Sequence, residues 1–112
     1  MRRTMGRMML AALLAAAAAR AHAQDGDIAT GHAFARDACN ACHAVEAEQR
    51  TPRRISIGPA FREIANTRGI TATSLRVFLT TSHPKMPNLI LTSEETADVI
   101  AYILSLRGRP RE

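Results

Sequence analysis

Beyond residue 24 the apolar positions recur at three- and four-residue spacing, and they nowhere alternate as in a half-buried strand. The spacing predicts a first helix over roughly Ile28 to Ala38, with Asp27 as its N-cap and Ile28, Gly31, Phe34 and Ala38 near one face. The stretch "EAEQRTPRRISIGP" carries charge, Pro52, Gly58 and Pro59, and reads as a long loop. A short helix is expected over about Ala60 to Asn66, closed by Gly69, and a third over about Ser74 to Thr81, with Thr73 as cap and Leu75, Phe78 and Leu79 inward. Pro84 and Pro87 keep "SHPKMPNLIL" out of helix. The last helix carries the strongest signal: Thr92 and Glu95 form a capping box, Val99, Ile100, Ile103, Leu104 and Leu106 form the apolar stripe, and Gly108-Arg109-Pro110 ends it. The fold class is all-α, about four short helices joined by long loops.

Residues 1–23 change the composition. Arg2, Arg3 and Arg7 precede the uncharged apolar run Met8 to Ala19, and Ala21-His22-Ala23 is an A-x-A cleavage site. The pattern predicts a cleaved secretory signal, with residues 24–112 as one mature domain. The apolar run is too short to cross a bilayer core, which needs ~20 residues. Arg2, Arg3, Arg7 and Arg20 leave with the signal, taking the 15 Lys+Arg to 11 against 10 Asp+Glu, a net charge of +1. That balance gives no reason to expect nucleic acid or an acidic membrane as partner. Four of the five methionines also leave, and Met86 alone remains. So small a domain, with no tryptophan and few large apolar residues, builds a marginal core from side chains alone.

The chemistry centres on "DACNACHAVE", which holds both cysteines. A disulfide between Cys39 and Cys42 closes so small a loop that it stabilises little. A redox dithiol calls for a βαβ context that is not visible. A structural zinc ion needs four ligands, and adjacent Cys42 and His43 cannot easily share one tetrahedral ion. The remaining reading is C-x-x-C-H as a c-type haem attachment site. Two thiols on one helical turn reach the two vinyl groups, and His43 follows as the proximal iron ligand. A low-spin carrier needs a second axial ligand, and Met86, between Pro84 and Pro87, is the candidate; a thioether raises the reduction potential. His83 is the competing ligand. One of Arg50, Arg53 and Arg54 is a candidate partner for a haem propionate. Asn88 is a candidate cover for the haem edge, Lys85 a candidate for steering an acidic partner, and His32 reads as a solvent-facing residue without a role.

"GHAFARDACNACH", "GPAF", "HPKMPNL" and "VIAYILSL", in that order along the chain, resemble the class I c-type cytochromes of the small bacterial periplasmic kind. The resemblance implies the cytochrome c fold, wrapped round one covalent haem c. It implies that Gly31 and Phe34 meet Tyr102 where the first and last helices cross. It also implies that the Pro59 carbonyl accepts from the His43 imidazole, which fixes the tautomer and improves the donor. The loop from His43 to Gly58 is longer than in the most compact members. The expected function is that of a monomeric periplasmic one-electron carrier, not an enzyme, with His43 and Met86 as axial ligands. Its partners would be a dehydrogenase or reductase as donor and an oxidase or reductase as acceptor. The alternatives are a ligand-binding or peroxidatic haem protein with a labile Met86, an electron-transfer subunit of a dehydrogenase complex, and a disulfide oxidoreductase.

Overall fold

Asp27 opens the first helix, α1 (Ile28–Ala38), its carboxylate accepting from the Thr30 N–H at 2.7 Å. That bond, and then one from the Thr30 side chain, hold the Asp27 carboxyl below the usual carboxylate range. The structure is a computed structural model that describes residues 25–49 and 58–108, so the export signal and Arg50, Arg53 and Arg54 lie outside the described residues. Helix α2 (Phe61–Asn66) starts one residue later than the sequence suggests, where Glu63 Oε2 accepts from the Ala60 N–H at 3.2 Å. Helix α3 (Ala72–Thr80) starts two residues earlier, because Thr71 and not Thr73 is its cap. Thr71 Oγ1 accepts from the Ser74 N–H and Ser74 Oγ from the Thr71 N–H, at 3.1 and 2.8 Å. Helix α4 (Ser93–Ser105) opens on the expected Thr92–Glu95 capping box. Among the described residues there is no strand, and none of their helices is long and apolar enough to cross a membrane.

The architecture rests on α1 crossing α4 at very close range. A Cβ built on Gly31 would lie 1.9 Å from the Asp98 carbonyl oxygen, and one on Gly26 would lie 2.0 Å from that of Ala97. Only glycine lets the two backbones approach so closely. Asp98 Oδ1 also accepts from the Asp27 N–H at 2.7 Å, which ties the start of α1 to the middle of α4. Around this crossing Ala35, Val45, Phe61, Leu75, Val99, Ile103 and Leu106 form the buried core.

Two expectations are corrected here. The Tyr102 ring stacks on His32, centroids 4.6 Å apart. His32 is therefore not idle: its Nε2–H donates to Glu46 Oε2 at 2.7 Å, and the other Glu46 oxygen lies 3.5 Å from Arg36 Nε. The Tyr102 hydroxyl donates to the buried Val45 carbonyl at 2.6 Å. Second, Phe78 is 45 % exposed; Leu75 takes the buried position on α3, with Leu79 partly buried beside it. The chain just past α4 is also anchored to the rest of the fold. The Arg107 guanidinium donates to the Ala65 and Ile70 carbonyls at 3.1 and 2.7 Å, and the Gly108 N–H donates to Asn66 Oδ1. These bonds satisfy acceptors at and beyond the C-terminal end of α2.

Candidate functional site

The cysteines sit where α1 runs out into one further turn. The Cys39 N–H donates to Ala35 O at 2.9 Å, and the His43 N–H donates to Cys39 O at 3.0 Å, so Cys39, Cys42 and His43 share a hydrogen-bonded turn. Both cysteines are half-buried free thiols. Burial, with a smaller contribution from Cys42, pushes the Cys39 thiol up to about 11.

Residues 58–61 come back alongside this turn and hold the imidazole. The Gly58 N–H donates to Cys42 O at 3.1 Å and the Phe61 N–H to Ala44 O at 2.9 Å. Between these two bonds lies His43. A Cβ on Gly58 would fall 2.3 Å from its ring, so the ring occupies the space a side chain would fill. His43 Nδ1 lies 2.7 Å from the Pro59 carbonyl oxygen. A carbonyl only accepts, so Nδ1 carries the proton and Nε2 keeps its lone pair. Phe61 closes one side, its ring tilted against His43 at 5.4 Å.

Cys39, Cys42, His43 and Pro59 line a cavity of about 730 Å³. Its walls are otherwise nearly all apolar and include Phe34, Ile64, Leu75, Val99 and Ile103, so every described helix contributes. The loop after α3 lines the cavity with Met86, Pro87 and Leu89, as do Phe78, His83 and Lys85. Met86 is half-buried, and Lys85 and Asn88 are exposed. The volume falls within the ~300–1,000 Å³ usual for cofactor sites. A covalently held haem suits this donor set: two thiols on one turn, an imidazole with a free lone pair, a thioether on the same cavity, and apolar walls. Among the described residues no three His, Cys, Asp or Glu side chains gather to hold a metal ion unaided, which leaves the zinc reading without ligands.

The sequence pointed to Cys39, Cys42 and His43 by their spacing and to Met86 by its place between two prolines, and the resemblance pointed to Pro59. It did not point to Gly58 as the seat of the His43 ring, since only the fold shows what a Cβ there would meet.

Residues 28–107 match the family model for cytochrome c. Cytochrome c-552 of Bradyrhizobium diazoefficiens is 34% identical over 95 residues, which cover 85% of this chain and 89% of that protein. No solved structure matches significantly.

Proposed function

The chain belongs to the cytochrome c family, haem electron carriers in which the cofactor is covalently bound, and we propose that it is a periplasmic carrier with His43 and Met86 as axial ligands. One observation carries the reading: the His43 proton is committed to Pro59, and the remaining imidazole lone pair shares one apolar cavity with Met86. Cys39 and Cys42 would hold the group by thioethers. When bound, the haem supplies a single redox equivalent, cycling between ferric and ferrous iron.

What this chain contributes follows from its own atoms. The Pro59 carbonyl polarises the His43 N–H and fixes the ring, and Gly58 leaves room for it. Apolar walls and a soft sulfur favour the less charged ferrous state, which keeps the potential high. With His43 and Met86 both bound, the iron would offer no site to a substrate, which supports a role in transfer rather than catalysis. The basic start, the short apolar run after it and its A-x-A end support export.

Partner choice has an electrostatic basis. From Ile64 to Ser93 the chain carries no Asp or Glu, while Arg68, Arg76 and Lys85 on that stretch are all exposed. Exposed Val77 and Ile90 lie among them. The stretch that bears Met86 thus offers an apolar surface among positive charges, suited to brief contact with an acidic redox partner.

The test is the ferric spectrum of the holoprotein. A weak band at its red end marks iron–methionine sulfur bonding, and M86A is expected to abolish it and lower the potential. A wild-type protein that lacks the band at neutral pH, or an M86A variant that keeps it, overturns the assignment. A haem-staining band on a denaturing gel, lost in C39A/C42A, separates the reading from a disulfide oxidoreductase.

A further inference from the structure

The loop that carries Met86 is almost unsupported by hydrogen bonds. From Pro84 to Leu91 no residue makes one with any described residue. Pro84 and Pro87 have no N–H to give. The loop hangs between two anchors. Downstream is the Thr92–Glu95 capping box. Upstream is His83.

His83 is fastened twice. Its ring stacks on Phe78 with centroids 3.6 Å apart and planes at 15°. Its Nε2 lies 2.8 Å from the Phe78 carbonyl oxygen and 3.2 Å from Thr81 Oγ1. The carbonyl only accepts, so Nε2 carries the proton and donates. Thr81 Oγ1 itself donates back to Val77 O at 2.9 Å. The imidazole therefore folds over the last turn of α3 and adds a second, shorter bond to a carbonyl that also accepts from the Thr81 N–H at 3.4 Å. The residue after it is Pro84, which confines His83 to extended backbone and sets the direction in which the loop leaves. Met86 follows three residues after the clasp.

We propose that His83 is a positioning residue for the Met86 sulfur: by clasping the end of α3 it fixes the take-off of an otherwise unbonded loop and so holds Met86 on the iron. The inference rests on the Met86 reading above. It assigns His83 a part in axial ligation without making it a ligand, because its Nε2 is already spent on Phe78.

The experiment uses ferric holoprotein and imidazole as a probe that competes with the methionine for iron. Loss of the clasp raises the population with Met86 detached, and the apparent affinity rises with that population. In H83A, which loses stack and hydrogen bond, imidazole is expected to bind about tenfold more tightly, with the red-end band still present before titration. H83F keeps the stack and H83Q keeps a donor, and each is expected to fall between H83A and wild type. Global unfolding is measured alongside; affinity changes that merely track the unfolding midpoint across all three variants overturn the proposal. So does an unchanged imidazole affinity in H83A. Should H83A fail to accumulate, H83F and H83Q decide in the same way. M86A separates the two claims. If M86A retains the band, the ligand reading falls; if M86A loses it while the His83 variants bind imidazole as wild type does, only the clasp falls. Loss of six-coordinate iron in H83A but not in M86A would make His83 the ligand and refute both.

Discussion

Replacing Gly31 with alanine puts the helix crossing to a direct test. The added Cβ would lie 1.9 Å from Asp98 O, 2.4 Å from Asp98 C and 3.0 Å from Val99 N. All three are backbone atoms inside α4, which cannot turn aside as a side chain can. Carbon and carbonyl oxygen rest at about 3.3 Å or more, so α1 and α4 must part by over 1 Å. A gap of up to that size already forfeits a quarter to a half of each dispersion contact it opens. Among the residues affected are Ala35 and Val99, which are 0 % and 2 % exposed. Overpacking of this kind costs roughly 1–3 kcal/mol, here at the upper end because nothing flexible can yield. Helix propensity works the other way, alanine being favoured over glycine by about 1 kcal/mol. The net expectation is a loss of about 2 kcal/mol, or a fall in Tm of roughly 8–16 °C for a domain of this size. Guanidinium unfolding of the holoprotein, followed by far-UV circular dichroism, reads this as a lower midpoint at unchanged slope. Ala33→Gly, at an exposed site on the same helix, calibrates propensity alone. If Gly31→Ala stabilises the fold by the propensity difference, the close approach is not the constraint it is argued to be.

Tyr102→Phe strands the buried Val45 carbonyl; a loss of about 1–2 kcal/mol is expected, and a change under 0.5 kcal/mol (roughly the scatter of neutral surface substitutions) would refute it. Thr92→Ala removes the α4 cap and should cost about 1 kcal/mol of stability in the same assay. Asp27 has a lowered pKa in the fold, so the unfolded chain binds more protons at this group below pH 3.8. Its contribution is present above that value and fades as pH falls through the depressed one; Asp27→Asn should flatten this part of the acid limb, and an unaltered limb in a pH titration of unfolding counts against it. In haem-free chain, a Cys39 pKa of about 11 leaves about one thiol in a hundred ionised at pH 9. Iodoacetamide at that pH should label Cys39 much faster once urea is added, and equal rates would show the thiol is not buried.

Several features were readable before the fold was known, because their causes are local. Asp27 and the Thr92–Glu95 box fix helix starts through bonds spanning three residues. Cys39, Cys42 and His43 share one turn, so their chemistry is written in their spacing. The misjudged features depend on choices among equals or on distant partners. Three candidate caps stand in "TATS", and only Thr71 finds a serine three residues on with which to exchange bonds. Phe78 and Leu79 are both apolar and adjacent, and packing admits Leu79 while leaving Phe78 as the platform for His83. His32 finds Glu46 across the cysteine turn, and Arg107 finds Ala65 forty-two positions back; no periodicity encodes either.

The close crossing of α1 and α4 also has a kinetic side. The bond from the Asp27 N–H to Asp98 spans 71 positions and that from Tyr102 to Val45 spans 57. Closing a loop of 71 residues costs about 4 kcal/mol of chain entropy beyond a constant, and the core contacts that offset it arrive only with Ser93–Ser105. A helical domain with its two principal helices so far apart in sequence should fold more slowly than a bundle of neighbours. Until the fourth helix has been made, the earlier three have no common face to bury. Nascent chain therefore stays open, with both thiols reachable, until Ser93–Ser105 has been made.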